Sequence, residues 1–282
     1  MKITIIIPVY NEQAHIEHML GSLVGQTIKP SQVIIVDDNS TDNTPSVIKK
    51  YVDTYPWITS VNTHKTSKHS PGAKVIEAFY KGYEKCSIDA QLIGKFDADI
   101  ILPSNYLEKM IGIFASDNLV GMASGNLYIK KRDAWIFENI SEKTKVRGPI
   151  KLYKKECFEA IGGLKKSIGW DTVDGLLAAF HGWKTKTDPL LHVKHLKATG
   201  NAYTSGAKHK QGEAFYKMRY SKTLTRIAAL KLAVSKKDPL FYLHCMQGYN
   251  ISKKQKQPFI VSKQEGEFIR NFRWKAIKKK IL

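Results

Sequence analysis

Cysteine is scarce here: Cys86, Cys157 and Cys245 are the three in 282 residues, far apart and with no CxxC pair. So few and so scattered, they exclude a disulfide framework and a four-cysteine zinc site and read as reduced and structural. No apolar run approaches the roughly 18 to 20 residues that cross a bilayer. The opening MKITIIIPVY is interrupted by Pro8 too soon for a secretory leader, so the chain is expected to stay in the cytosol. Internal repeats and low-complexity segments are missing too, which excludes solenoids and linker-rich chains. Acidic residues are few, 25 against 45 lysines and arginines, for a formal charge of +20.

That charge is unevenly spread. Residues 205 to 282 hold nineteen Lys or Arg against four Asp or Glu, a surplus of 15 that leaves +5 for the first 204 residues. A basic tail suits an anionic surface, either nucleic acid or acidic lipid, and equally a solvated face that keeps a protein soluble. The apolar content of 43% and aromatic content of 10% are those of a folded globular chain. The length then suggests one domain over residues 1–204 and a basic, largely helical extension over 205–282.

Along the first domain, short apolar runs alternate with helical patterns. Strands are expected at Ile3 to Ile7, Val33 to Val36, Ile58 to Val61 and Leu92 to Phe96. Helices are expected from about Asn11 to before Pro30, from Thr44 to Tyr51 and from Ala73 to Lys85. Strands separated by helices of this length define βαβ units and an α/β fold whose mostly parallel sheet is flanked by helices. Past residue 104 the pattern is mixed: a helix near Ser104 to Phe114, strands near Asn118 to Ile129 and Ile150 to Tyr153, and a polar stretch to Arg147 between those strands.

Ligands of parallel sheets bind beyond the carboxyl ends of the strands. Here those ends are polar: Pro8, Tyr10 and Glu12 after the first strand, Asp37 and Asp38 after the second, the basic loop His64 to Gly72 after the third, Asp97 and Asp99 after the fourth. On an extended segment Asp97 and Asp99 face one side at like-charge distance, a repulsion that a cation relieves. Carboxylates bind a diphosphate poorly unless a divalent cation lies between, and hard oxygen ligands suit Mg²⁺ or Mn²⁺. The alternative is a strand-end turn or cap for the next helix. In LLHVKHLK, His192 and His195 lie three apart on a strand and so on opposite faces, which prevents them from sharing one ion.

TIIIPVYNEQAHIEHMLGSLVGQTIKPSQVIIVDDNSTDNT, GAKVIEAFYKG, FDADIILP, GGL at 162–164 and GWDTVDGLLAAFHGW at 169–183 occur in that order. In order and spacing the set resembles the inverting family 2 glycosyltransferases of the GT-A fold, over roughly residues 3 to 200. The resemblance implies that Pro8, Tyr10 and Glu12 line a nucleoside pocket and that Asp38 reads the base, often uracil. It places Lys74 near the nucleotide, Asp97 at the ribose or a metal-bound water, and Asp99 on the metal. Tyr10 has the alternative of ordinary packing against the sheet. His195 falls where the family often supplies a further metal ligand, with a structural hydrogen bond as the alternative. Asp171 precedes Gly182 by the interval of the family's proton acceptor, and Asp174 lies one helical turn deeper, where it orients the acceptor or caps the helix. Both acids also fit an ordinary helix start. The family's usual acidic pair reads Trp170-Asp171 here and the QxxRW of processive synthases is absent, which argues against a processive polymer synthase.

The resulting expectation is a Mn²⁺- or Mg²⁺-dependent transferase that moves a sugar from a nucleotide diphosphate sugar, a UDP-sugar first, to a hydroxyl of a glycan or lipid-linked acceptor. One rival is a sugar-1-phosphate nucleotidyltransferase, which wants a Gly-rich loop that PVYNEQAH does not provide. The other is a nucleic-acid-binding module, which leaves the strand-end acids unexplained. The segment FIRNFRWKAIKKKIL mixes apolar and basic residues and suggests weak peripheral attachment to an acidic membrane face.

Overall fold

A computed structural model describes residues 1–63, 73–139, 142–197 and 209–281. The four expected strands are present as β1 (Ile3–Val9), β2 (Gln32–Asp37), β3 (Ile58–Asn62) and β4 (Leu92–Phe96). They form a parallel block in the order β3-β2-β1-β4. The apolar runs of β1, β2 and β4 are buried on both faces, as crossover helices require, while β3 at the sheet edge buries Ile58 and is largely exposed. Those helices are α1 (Ile16–Val24), α2 (Thr44–Thr54) and α3 (Ala73–Tyr83). In α3 the absence of a side chain at Gly82 permits close approach to the sheet, since a Cβ there would meet Ile6 at 2.6 Å and Val36 at 2.8 Å.

Beyond β4 the sheet becomes mixed. It continues through β8 (Ile150–Lys154), β6 (Val120–Lys131), β9 (Lys184–His195) and β5 (Ile100–Ile101), while β7 (Ala134–Phe137) pairs with β6. β8 runs antiparallel to β4, and β6 parallel to β9. Three helices serve this half: α4 (Tyr106–Ser116), α5 (Lys155–Ala160) and α6 (Trp170–Phe180).

Two expectations are corrected. The helix expected from Asn11 starts at Ile16, because Asn11 takes a left-handed conformation (φ 53°) and residues 11 to 13 bond to the loop after β2 instead. Asp97 to Asp99 do not extend β4; they form the turn that leads into β5.

After residue 208 come α7 (Lys210–Lys217), α8 (Lys222–Lys236), α9 (Pro239–Lys254) and α10 (Lys263–Ile281). Among the described residues no helix is long and apolar enough to cross a membrane. α7 and α9 cross closely at two glycines: a Cβ on Gly212 would run into the carbonyl of Cys245, and one on Gly248 into that of His209. Phe215, Leu224 and Tyr249 join Trp170 and Leu177 in one apolar cluster, and Phe268 of α10 meets Phe180 of α6 edge-on at 5.5 Å. The basic helices therefore share a core with the sheet domain.

Candidate active site

The loops after β1 and β2 are stitched together. The Asn11 N–H donates to Ser40 Oγ at 2.9 Å, and Asn11 Oδ1 accepts from the Thr41 N–H at 2.8 Å. This fixes the two acids beside them. The Glu12 N–H donates to Thr44 Oγ1 at 2.8 Å, while Glu12 Oε2 pairs with Lys197 Nζ at 2.6 Å. The Asp38 N–H donates to the Val9 carbonyl at 2.8 Å, and Asp38 Oδ1 accepts from the Thr63 hydroxyl at 2.6 Å. Pro8 is half-buried in β1 opposite Val36. Tyr10 is 49% exposed at the end of β1. Lys74 is half-buried in the first turn of α3, and the basic loop His64 to Gly72 lies outside the described residues.

The turn after β4 brings Asp97 and Asp99 to the same place. The Asp97 N–H donates to the Pro149 carbonyl at 2.9 Å, and its Oδ1 accepts from Lys95 Nζ. Asp99 Oδ1 faces His195 Nε2 at 3.7 Å, across the β5–β9 pair. On its far side His195 Nδ1 meets Glu138 Oε2 at 3.3 Å, and Glu138 in turn accepts from Arg147 Nη2 at 2.8 Å. With Nδ1 engaged by Glu138, Nε2 is the ring nitrogen turned toward Asp99, the arrangement that orients a metal-binding imidazole. Burial, with the charge of Asp97 alongside, pushes the Asp99 carboxyl up to about 6, and His195 opposes this. Burial alone would lower the His195 pKa, but the bond to Glu138 and the Asp99 charge raise it overall. His192 lies on the opposite face as expected, exposed and against Tyr128.

Among the described residues no three His, Cys, Asp or Glu side chains gather into a ready cage for an ion. Asp99 and His195 supply one oxygen and one nitrogen. The carboxylate suits Mn²⁺ or Mg²⁺ completed by water and substrate phosphates, and the imidazole nitrogen suits Mn²⁺ better than the harder Mg²⁺.

Helix α6 starts one residue before Asp171, with Gly169 as its N-cap in the left-handed region (φ 79°), a conformation glycine adopts without strain. Neither acid is the N-cap. Asp171 is half-buried in the first turn. Asp174 is wholly buried, taking Lys151 Nζ at 2.8 and 3.0 Å and the Tyr153 hydroxyl at 2.5 Å. Lys151 Nζ also donates to the Asp171 carbonyl at 3.0 Å. Gly182 (φ 81°) ends α6, with the Trp183 N–H returning to the Ala178 carbonyl at 2.9 Å.

Five side chains that the sequence reading passed over link these parts: Lys95, Lys151, Glu138, Arg147 and Lys197. Lys95 Nζ lies 5.0 Å from the ring centre of Trp170 while it holds Asp97, so it joins the acidic turn to the start of α6. A lysine inside an apolar strand, as in LIGKF and IKLYK, is a signal in itself, because such a charge is buried only beside a partner. Glu138 and Arg147 sat in a polar stretch with no periodicity to mark them.

A Rossmann-like sheet with acids at its strand ends and a continuation of mixed direction is the GT-A architecture. Residues 4–164 match the profile of Glycosyl transferase family 2, more than half of the chain, and the chain belongs to that family. Among solved structures, the mannosyltransferase PcManGT from Pyrobaculum calidifontis, in complex with GDP-Man and Mn²⁺, superposes with a TM-score of 0.60 at 18% identity, covering 98% of this chain and 80% of that one. S. aureus TarS 1-349, in complex with UDP-GlcNAc, gives 0.58 at 18% identity, covering 78% of this chain and 65% of that one. Among curated relatives, the minor teichoic acid biosynthesis protein GgaA of Bacillus subtilis is 27% identical over 166 residues, 57% of this chain and 36% of that protein. The chain spans less than two thirds of the length of such relatives.

Proposed function

We propose that this chain is a metal-dependent, inverting glycosyltransferase that takes a sugar from a nucleotide diphosphate sugar, a UDP-sugar first, and places it on a hydroxyl of a glycan or lipid-linked glycan. The observation that carries the reading is the convergence of Glu12, Asp38, Asp97 and Asp99 from three strand ends, with His195 facing Asp99 at 3.7 Å. The two structural neighbours in complex with nucleotide sugars support it.

In this reading Pro8, Tyr10 and Glu12 line the nucleoside pocket. Asp38, held by Thr63, offers a carboxylate to the base. Lys74 stands by the nucleotide, Asp97 meets the ribose, and Asp99 with His195 would hold Mn²⁺ or Mg²⁺. The cation, when bound, neutralises charge developing on the departing diphosphate. Asp171 accepts the proton of the acceptor hydroxyl as it attacks from the face opposite the leaving group, which inverts the anomeric centre. Asp174, paired with Lys151 out of contact with solvent, keeps that helix turn in place. The glycosyltransferase domain over residues 1–204 with a basic extension over 205–282, and attachment of that extension to an acidic membrane, belong to the same proposal.

A thermal-shift panel of nucleoside diphosphates and their sugars, with and without Mn²⁺, tests it. A ligand that binds the native state alone raises the melting temperature as its concentration passes Kd. Stabilisation by uridine ligands with Mn²⁺ is expected. No response to any nucleotide would contradict the reading.

A further inference from the structure

The segment that suggested membrane attachment by sequence, in α10, is largely occupied by the protein. Ile269 is fully buried, Phe268 packs on Phe180, Arg270 Nη1 donates to the Arg219 carbonyl at 2.9 Å, and Arg273 Nε donates to the Tyr220 hydroxyl at 2.8 Å. Exposed apolar side chains gather on the preceding hairpin instead. On α8, Ile227, Leu230 and Val234 are 36%, 58% and 71% exposed. Their spacing of three and four residues makes them one stripe. That stripe lies on the side opposite Leu224, Ala229 and Ala233, which face the core. A two-residue link then leads to α9, whose first turns expose Leu240 at 60% and Leu243 at 54%.

Ile88, Leu119 and Leu190, the other aliphatic residues more than half exposed among the described residues, stand in other parts of the chain, which is ordinary for a surface. A helix apolar on two opposite sides is not. The charge around the outer stripe identifies its partner. Residues 222 to 237 contain Lys222, Arg226, Lys231, Lys236 and Lys237 and no acid. Arg226 and Lys231 flank the stripe on the helix surface, and both are exposed. An apolar face bordered by long cationic side chains matches the boundary between anionic headgroups and acyl chains, where Lys and Arg reach outward while aliphatic groups enter. A second copy of this chain would bring the same five cations against themselves.

We infer that the outer face of the α8–α9 hairpin, and not α10, seats this protein on an anionic phospholipid surface. This rests on the glycosyltransferase reading for its purpose, delivery of the site to a lipid-linked acceptor, but not for its test. The test uses the full chain and sedimentation with vesicles of phosphatidylcholine alone or mixed with phosphatidylserine, at low and high salt. The wild type should sediment with the acidic vesicles and release in high salt. A Leu230→Ser/Val234→Ser variant should lose about tenfold or more in partitioning, the scale of withholding one or two aliphatic side chains from the apolar phase. Phe272→Ser, at the exposed apolar position of α10, should bind as wild type does.

Equal binding to neutral vesicles, full binding by the double variant, or loss of binding in Phe272→Ser would each overturn the assignment. A wild-type dimer in sedimentation velocity that the double variant converts to monomer would overturn it too, in favour of self-association. Nucleotide binding, read separately by thermal shift, reports on the enzymatic reading alone, so the two can fail independently.

Discussion

Lys151 Nζ and the Asp174 carboxylate meet at 2.8 Å with both side chains withdrawn from solvent. The pair lies under the first turns of α6, and the same ammonium holds the Asp171 carbonyl. Removing one partner leaves the other as an uncompensated buried charge. Asp174→Asn is therefore expected to lose about 3 to 5 kcal/mol of stability in urea unfolding, and Lys151→Met/Asp174→Leu to recover most of it. A single variant as stable as wild type would show that the pair is not closed in solution.

Asp171 should behave in the opposite way. It is half-buried at the start of the helix and takes part in the chemistry proposed above. Asp171→Asn should keep its fold and its nucleotide binding and lose transfer by roughly 10² to 10⁴ fold, the range of a general base. Retained transfer in Asp171→Asn, with turnover instead abolished in a folded Asp174→Asn protein, would assign the base to Asp174.

Glu138 joins His195 to Arg147 in a buried chain. Glu138→Gln removes the charge that orients the imidazole and is expected to weaken Mn²⁺ binding by about 10 to 100 fold, as second-layer partners of metal-binding histidines do. It should also lower stability, because Arg147 keeps its charge without a counterion. Mn²⁺ titration followed by water proton relaxation measures the first effect; unchanged affinity would exclude His195 from the metal.

Cys157 and Cys245 supply a pH dependence. Burial pushes the Cys157 thiol up to about 12 and that of Cys245 to about 11. In the unfolded chain both titrate near pH 8.5. The folded state thus keeps protons that the unfolded state gives up, so stability is full below about pH 8.5 and declines as pH rises toward those folded values. Urea midpoints should fall across this alkaline range. A thiol reagent at neutral pH should modify Cys86, which is half-buried, well before the two buried cysteines. Equal reaction of all three would mean that the α5 and α9 regions open readily.

The parallel half of the fold was legible in the sequence because each of its strands is a short apolar run ended by polar residues: Ile3 to Ile7 and Leu92 to Phe96 needed no long-range information. The acids of DAD were legible as a cluster with a strand-end turn as one reading, but not the anchor of that turn, since the carbonyl of Pro149 that holds the Asp97 N–H comes from 52 residues downstream. What was not legible depended on partners distant in sequence. β7 is the exception, a local hairpin: the short apolar run AWIF pairs with β6 across a two-residue turn inside a stretch read as polar. The apolar residues of α10 suggested a lipid face because nothing local shows that Phe268 meets Phe180. The sequence set Asp174 one turn deeper than Asp171, but its ion pair was hidden until β8 brought Lys151 and Tyr153 beneath it.

The central claim is that the strand-end acids form a metal-assisted nucleotide site, and calorimetric titration of UDP into wild-type and Asp99→Asn protein, each with Mn²⁺ or with excess chelator, tests it most directly. Asp99→Asn keeps the shape of the side chain and removes one charge from the proposed ion site. The account predicts tight binding by the wild type with Mn²⁺, and weak binding both in chelator and in the folded variant. Binding of equal strength in all four titrations, or none in any, would contradict it.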